Sequence, residues 1–207
     1  MKKIICLLLM LVLAFSLVSC GGSAAQELID VAKAAEPTRI TTVASYVVSD
    51  SESYNGYYVM MVEGNDSIFE FEYERRATVQ EQADGMKKTV EGKVYYNDGL
   101  YSYDGDRWES QAPAAINLDF NLDLKLFDSY AENGNSLSAV VSGDNIALVL
   151  GSKLAVDGAV SLNIVTNGTY LTAIEVSYKT TSGANVTVDT TYTYDAITLE
   201  FPAQPAE

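Results

Sequence analysis

The clearest pattern in the chain is a strict alternation of aromatic and acidic residues over positions 69–74. Side chains of a β-strand point to opposite faces in turn, so Phe69, Phe71 and Tyr73 share one face and three glutamates share the other. A slip of one residue would bury three carboxylates, and the register of this strand should therefore be firm. The aromatic face is expected to be dry, either as ordinary core or as the wall of a cleft.

Further segments are rich in β-branched residues and tyrosine, and turn signals such as Asn-Gly and Asp-Gly separate many of them. One of them, 57–62, is apolar on both faces, so another part of the chain should cover its second face. Short strands joined by tight turns predict a meandering antiparallel sheet. The predicted strands are 40–48, 57–62, 69–74, 93–97, 100–103, 161–166, 169–179 and 185–194.

Two segments have a different pattern. Residues 26–36 place their apolar side chains on one side of a helix, which Pro37 ends. Residues 116–126 alternate like a strand, yet Asn121 could cap a helix that runs to about residue 131, with Gly134 closing it. We favour the helix for this second segment, although the strand remains an alternative.

The first nineteen residues have the pattern of an export signal. Lys2 and Lys3 precede an apolar run over positions 4–18. That run is shorter than the roughly twenty residues that span a bilayer as a helix. A cleaved signal is therefore favoured over a permanent transmembrane anchor.

The end of this signal is Leu17-Val18-Ser19-Cys20, followed by glycine. It resembles the lipobox of bacterial lipoproteins, which implies cleavage before Cys20 and diacylation of its thiol; an unrelated cysteine behind an ordinary signal is the alternative. Two acyl chains, at ~0.8 kcal/mol per buried methylene, anchor a protein stably. We expect a signal peptide over 1–19, a lipidated tether over 20–25, one β-rich domain over 26–203 and a tail over 204–207. The domain would then be extracytoplasmic and held on the cell membrane by palmitate-type lipid on Cys20.

Composition excludes several kinds of chemistry. The processed chain would keep 11 basic and 28 acidic residues, a net charge of −17, which argues against nucleic acid as a partner. It would have no histidine, and its one cysteine would be acylated, so no catalytic residue, metal site or cofactor is expected. Asp104 and Asp106 could suggest calcium, but hairpin turns explain them better. A hydrolase with an unrecognised site, of the Ser–Lys or paired-carboxylate kind, is the minor alternative to a non-enzymatic protein.

The order of elements resembles a known superfamily. The chain has a lipobox, a helix, hairpins such as 93–99 with Trp108, an interrupting segment, and further strands such as 192–195 leading to Phe201-Pro202. This order is similar to that of the outer-membrane lipoprotein carrier and localisation proteins and of the mycobacterial half-barrel lipoproteins. The resemblance implies a mainly β (α+β) fold: a curved antiparallel sheet forming a half-open barrel, with an N-terminal helix and a short mid-chain helix. It also implies an apolar cleft that takes acyl chains. The arginine of the carrier cleft has no clear counterpart in this chain.

Two functions follow as hypotheses. The first is a membrane-anchored protein that binds a lipid or a lipidated or hydrophobic ligand, with Met61, Phe69, Phe71 and Tyr73 as cleft residues. The second is an acidic interaction or scaffold module with a filled core, whose partner is another protein of the envelope. An empty apolar cleft of roughly 300 Å³ or more would favour the first.

Overall fold

The computed structural model of the chain describes residues 24–34, 36–81, 87–105, 107–109, 120–151 and 153–203. The expected signal peptide and Cys20 lie outside these residues, as do positions 111–119 and the tail over 204–207. The side chains of Arg107 and Trp108 are outside the description as well.

The fold is mainly β, as expected, and its strands form one antiparallel sheet that does not close. From edge to edge the strand order is β6-β5-β4-β3-β2-β1-β11-β10-β9-β8-β7. Strands that follow one another in the chain are neighbours, except β6 and β7, which form the two edges, and β1 joins the two arms of the sheet by pairing with β2 and β11. The strands are β1 (Arg39–Ser49), β2 (Glu52–Glu63), β3 (Asp66–Arg76), β4 (Lys87–Asn97), β5 (Leu100–Tyr103), β6 (Arg107–Glu109), β7 (Ser129–Asn133), β8 (Ser136–Ser142), β9 (Ala159–Thr166), β10 (Leu171–Lys179) and β11 (Asn185–Thr193).

The tight turns follow the local sequence. Asp98 and Gly99, between β4 and β5, both have positive φ, the geometry that Asp-Gly favours in a two-residue hairpin loop. Between β2 and β3, and again between β7 and β8, a glycine at the first loop position has positive φ and the asparagine after it does not. These turns set the register of their hairpins.

Two helices flank the sheet. Residues 24–33 form α1, close to the predicted 26–36 and ending before Pro37. The mid-chain helix α2 is Asn145–Leu150, which ends at Gly151 in the left-handed conformation. It does not lie in the segment for which we favoured a helix.

The helix expected over 121–131 is wrong. That segment contains one 3₁₀ turn at Leu124–Leu126, which Asp123 caps by accepting a hydrogen bond from the backbone N–H of Lys125. The following residues form β7, so Gly134 belongs to a hairpin instead of closing a helix. Pairing with β8 thus outweighs the local helix signal.

The two faces of the sheet differ. We call the face that α1 and α2 cover the inner face, and the other the outer face. Inner residues of β1 and β8–β11 form one aliphatic core with α1, α2 and the segment 120–127. Its fully buried side chains include Ile29, Leu137, Val141, Val149, Val160, Ile164 and Ile174.

The C-terminal segment 194–203 covers part of the outer face. The ring of Phe201 packs edge-on against Tyr95 of β4 at 6.3 Å between centroids, and the backbone N–H of Leu199 donates to Glu63. Val59, on the outer face of β2, is only 1% exposed. The second apolar face of 57–62 is therefore covered at Val59, whereas Tyr57 on the same face is 45% exposed.

Candidate functional site

The inner face of β2–β5 differs from the aliphatic core because aromatic side chains dominate it. We call five of its rings, which contact one another, the aromatic face; they are Tyr58, Phe69, Phe71, Tyr73 and Tyr103. The strand register places them together, since Tyr58 stands opposite Phe71 and Val94 stands between Phe69 and Tyr103. The alternation predicted for positions 69–74 is confirmed, and the pairing of β3 with β4 has no bulge.

The rings of the aromatic face contact one another in a continuous row. Centroids are 5.8 Å apart for Phe69 and Phe71, 6.0 Å for Phe71 and Tyr73, and 6.3 Å for Phe71 and Tyr103. Tyr58 lies 6.4 Å from Phe69 and 6.5 Å from Tyr73, with its plane within 18° of both. All these distances fall in the range in which aromatic pairs attract.

Two glycines make room for these rings. A Cβ added at Gly92 would come within 2.5 Å of the Tyr103 hydroxyl oxygen and 2.7 Å of Phe71 Cζ. A Cβ at Gly56 would come within 2.7 Å of the Tyr58 ring. The rings of Phe71 and Tyr103 therefore lie flat on the bare backbone of the neighbouring strand β4, and the ring of Tyr58 lies on the backbone of its own strand.

Burial decreases along this surface. Phe69 is 3% exposed, whereas Tyr58, Phe71 and Tyr73 are partly buried and Tyr103 is 49% exposed. Burial raises the pKa of Tyr58, and nearby Tyr73 raises it further. The Tyr58 hydroxyl therefore stays protonated at neutral pH, and the rings at the open side present apolar area.

The aliphatic core does not extend over the aromatic face. Met60 of β2 packs against the aliphatic core, but none of the five rings belongs to the cluster that α1 and α2 complete. Between α1, segment 120–122 and the sheet there is a cavity of about 260 Å³, just below the size expected of a ligand cleft. It lies in the aliphatic half.

Of the four predicted cleft residues, the structure brings three together. Phe69, Phe71 and Tyr73 share the aromatic face, but Met61 stands opposite Ile68 on the outer face. Met60 is the methionine on the inner face. The grouping of Met61 with the other three is therefore wrong, because alternation along β2 puts neighbouring methionines on opposite sides.

Sequence reasoning missed Tyr58, Tyr103 and both glycines. Asn55-Gly56 had the signature of a hairpin turn, yet it lies inside β2, with Gly56 opposite Tyr73. The tyrosines could have been assigned to this face by pairing residues 69–74 with the adjacent strands of each hairpin and extending the alternation across them.

A charged cluster lies at the end of β3, beyond Tyr73. Arg75 stands directly opposite Lys88, and Glu81 bridges them with oxygen–nitrogen distances of 2.8 and 2.9 Å. The Arg75 guanidinium, followed by the Thr78 backbone N–H and Lys88, holds the pKa of the Glu81 carboxyl well below its usual range. The bridge offsets the repulsion between the two cations, which lie opposite each other on the neighbouring strands β3 and β4.

The outer face of β7–β10 carries hydroxyl and carboxylate groups. A shallow groove of about 510 Å³ crosses β7–β10 there, lined by small polar side chains such as Ser138, Ser161 and Asn163. Among the described residues, no three acidic, histidine or cysteine side chains come together in a way that could hold a metal ion. No described helix is long and apolar enough to span a membrane.

Comparison with known proteins adds little to this picture. No family model matches the chain, and no curated protein matches it. Among solved structures, the hypothetical protein CT021 from Chlamydia trachomatis aligns with 87% of this chain and 96% of its own, at 10% sequence identity and a TM-score of 0.31. A likeness at this level carries no inference about fold or function.

Proposed function

We propose that the chain is a membrane-anchored extracytoplasmic lipoprotein, without enzymatic activity, that binds a lipid or another hydrophobic ligand on the aromatic face. The observation that carries this proposal is that four of the five rings stay partly exposed at a place where the aliphatic core stops. A filled core packs its side chains as densely as an organic crystal, as in the other half of the sheet, and leaves them little exposed. A row of aromatic rings with one open side suits a ligand that completes its burial.

The chemistry of the face favours an acyl chain or a similar apolar group. The row Tyr58, Phe71 and Tyr73 presents apolar ring area, and burial of such area stabilises binding by roughly 25 cal/mol per Å² before the costs of association. Hydroxyl groups on three of the five rings provide polar contacts at the border of the site. The net negative charge of the chain disfavours an anionic headgroup placed deep in the site.

A matched pair of tyrosine variants tests the proposal. Tyr103 on the aromatic face is 49% exposed and Tyr57 on the outer face is 45% exposed, so truncation of either should perturb the fold similarly. Titration of residues 24–207, which contain every described element, with a fluorescent fatty acid should show binding that Tyr103→Ala weakens by about fivefold, given ~1 kcal/mol for one aromatic contact. Tyr57→Ala should bind like the parent. Absence of binding by the parent, or equal loss in both variants, would refute the proposal.

The anchor has its own test, because Cys20 lies outside the described residues. Cells fed a labelled palmitate should incorporate the label into the parent chain, and the labelled chain should be recovered in the membrane fraction. Cys20→Ala should abolish labelling and leave the chain unprocessed or soluble. Labelling that persists in the variant would refute the anchor without bearing on the aromatic face.

A second candidate function is an interaction module that docks an apolar segment of another envelope protein. Tyrosine is enriched at protein interfaces, and Tyr58, Tyr73 and Tyr103 supply three such side chains on one surface. The same titration separates the two candidates, because a parent chain that binds no fatty acid would favour the module.

A further inference from the structure

The two edges of the open sheet are unlike. β6 at one edge is three residues long, whereas β7 at the other has five, all of them exposed. Exposed edges usually have a charged side chain, most often lysine, a proline or a bulge that prevents pairing with another chain. β7 has neither proline nor lysine, its one charged side chain is Glu132, its pairing with β8 has no register shift, and among the described strands it pairs with β8 alone.

One hydrogen bond shows which backbone N–H and C=O groups of β7 point towards β8 and which point away from it. The N–H of Asp128 donates to the carbonyl of Val140 at 2.8 Å, so the backbone groups of Val140 face β7. Val140 pairs with Ser129, which makes this pair a hydrogen-bonded one. Such pairs alternate along an antiparallel ladder, so Ala131 and Asn133 also direct their backbone groups to β8.

Tyr130 and Glu132 therefore present their N–H and C=O groups to the outer side of the edge. Because the two residues are separated by one position, a second β7 strand can pair antiparallel around Ala131 as the two-fold centre. Each Tyr130 then exchanges both backbone hydrogen bonds with the partner's Glu132, which gives four bonds across the edge. Both copies use the same edge for the contact, as the interface of a two-fold dimer requires.

Side-chain charge selects this register over its neighbours. Centred on Ala131, it places the Tyr130 side chain beside the partner's Glu132, a donor beside an acceptor. A shift in one direction places Glu132 opposite the partner's Glu132, and a shift in the other places it opposite the partner's Asp128. Like charges directly opposite are destabilising, so both shifted registers are disfavoured.

We propose that β7 is a self-association edge, through which two copies of this chain join their sheets in the register centred on Ala131. The contact of two five-residue strands is smaller than the ~1,200 Å² of a stable interface, so the dimer is weak and in exchange. The chain is strongly negative, and added salt therefore strengthens the dimer by screening the repulsion between copies.

Cross-linking tests the register directly. In the proposed dimer the two Ala131 residues form a non-hydrogen-bonded pair with Cα atoms about 4.5 Å apart, within the range of a disulfide. Full-length chain with Ala131→Cys, oxidised mildly with copper phenanthroline in cell membranes, should give a disulfide dimer at least five times more abundant than the parent, whose cysteines are Cys6 and Cys20. Ala155→Cys, exposed and outside every strand, is the matched control.

Charge reversal at the edge makes the test specific. Tyr130 is 42% exposed, so Tyr130→Glu should leave the fold intact, which circular dichroism verifies. Added to Ala131→Cys, it places two glutamates opposite each other and should reduce cross-linking at least fivefold; Glu132→Lys added to that variant should restore it. Cross-linking of Ala131→Cys no greater than that of Ala155→Cys, or unaffected by Tyr130→Glu, would overturn the proposal.

Discussion

One face of the sheet has two halves that are built in different ways. Around β1 and β8–β11, aliphatic side chains interlock with α1, α2 and the segment 120–127, and the largest are fully buried. Along β2–β5, aromatic rings lie on the bare backbone of two glycines, and all of the five but Phe69 stay partly exposed. The contrast shows that a strand pattern which looks like core from its alternation can stay partly exposed when no described helix packs on it.

The first prediction concerns the aliphatic half and carries the largest effect. Leu137 is fully buried on β8, opposite Ile164. Leu137→Ala should lower the free energy of unfolding by about 3–5 kcal/mol, because it leaves a cavity that rigid neighbours cannot fill. A urea melt measures the change. A loss below about 1.5 kcal/mol would mean that this half is loosely packed, and the comparison would fail.

The matching change in the aromatic half should cost less. Phe71 is larger than leucine but only partly buried, so Phe71→Ala should lower the free energy of unfolding by about 2 kcal/mol or less, below the 3–5 kcal/mol of a fully buried phenylalanine. The same melt, repeated with saturating fatty acid, should show ligand stabilisation of the parent that the variant lacks. A loss as large as that of Leu137→Ala, with no ligand effect in the parent, would make the aromatic face ordinary core.

Within the C-terminal segment, Phe201 should contribute only to the aromatic half. Phe201 contacts Tyr95 on the outer face of β4, far from the aliphatic core along the strand order. Phe201→Ala should therefore cost about 1 kcal/mol, the usual value of one aromatic pair. Hydrogen exchange should show lost protection in β4 and β5 and unchanged protection in β9 and β10. Equal loss in both arms would contradict the separation.

The smallest effect is the pH response of the charged cluster. The pKa of Glu81 is lowered by Arg75, so the ionised bridge stabilises the fold above the ordinary glutamate value near 4.5 and is lost as the pH falls below it. Melting temperatures measured from pH 7 to pH 3 should fall less steeply for Glu81→Gln than for the parent. Parallel curves would mean that solvent screens the bridge completely.

Much of the fold could be predicted from local sequence, since period-two alternation and Asp-Gly turns identify most strands. The errors occurred where distant packing decides between local options. Asn55-Gly56 is a strong hairpin signal, but the ring of Tyr58 needs the bare Gly56 backbone within a long strand. The segment after Asn121 has a helix signal, but β8 provides a partner that makes 129–133 a strand.

The candidate site was predictable only in part for the same reason. Alternation identified Phe69, Phe71 and Tyr73 as one face, because all three lie on one strand. Tyr103 joins them only through the pairing of β3, β4 and β5, which no single strand reveals. Met61 was assigned to the wrong face because Met60 and Met61 are adjacent and identical, so the residue type alone does not show which of them faces inward.

The most direct test of the proposed site is to map where a bound acyl chain lies. Residues 24–207 would be irradiated with a diazirine-bearing fatty acid, digested, and sequenced by mass spectrometry to locate the labelled residues. Labels on the peptides of β2–β5, centred on the aromatic face and reduced by excess unlabelled fatty acid, are the predicted result. Labels confined to α1 and segment 120–127, around the cavity of about 260 Å³, would contradict it and place the ligand in the aliphatic half.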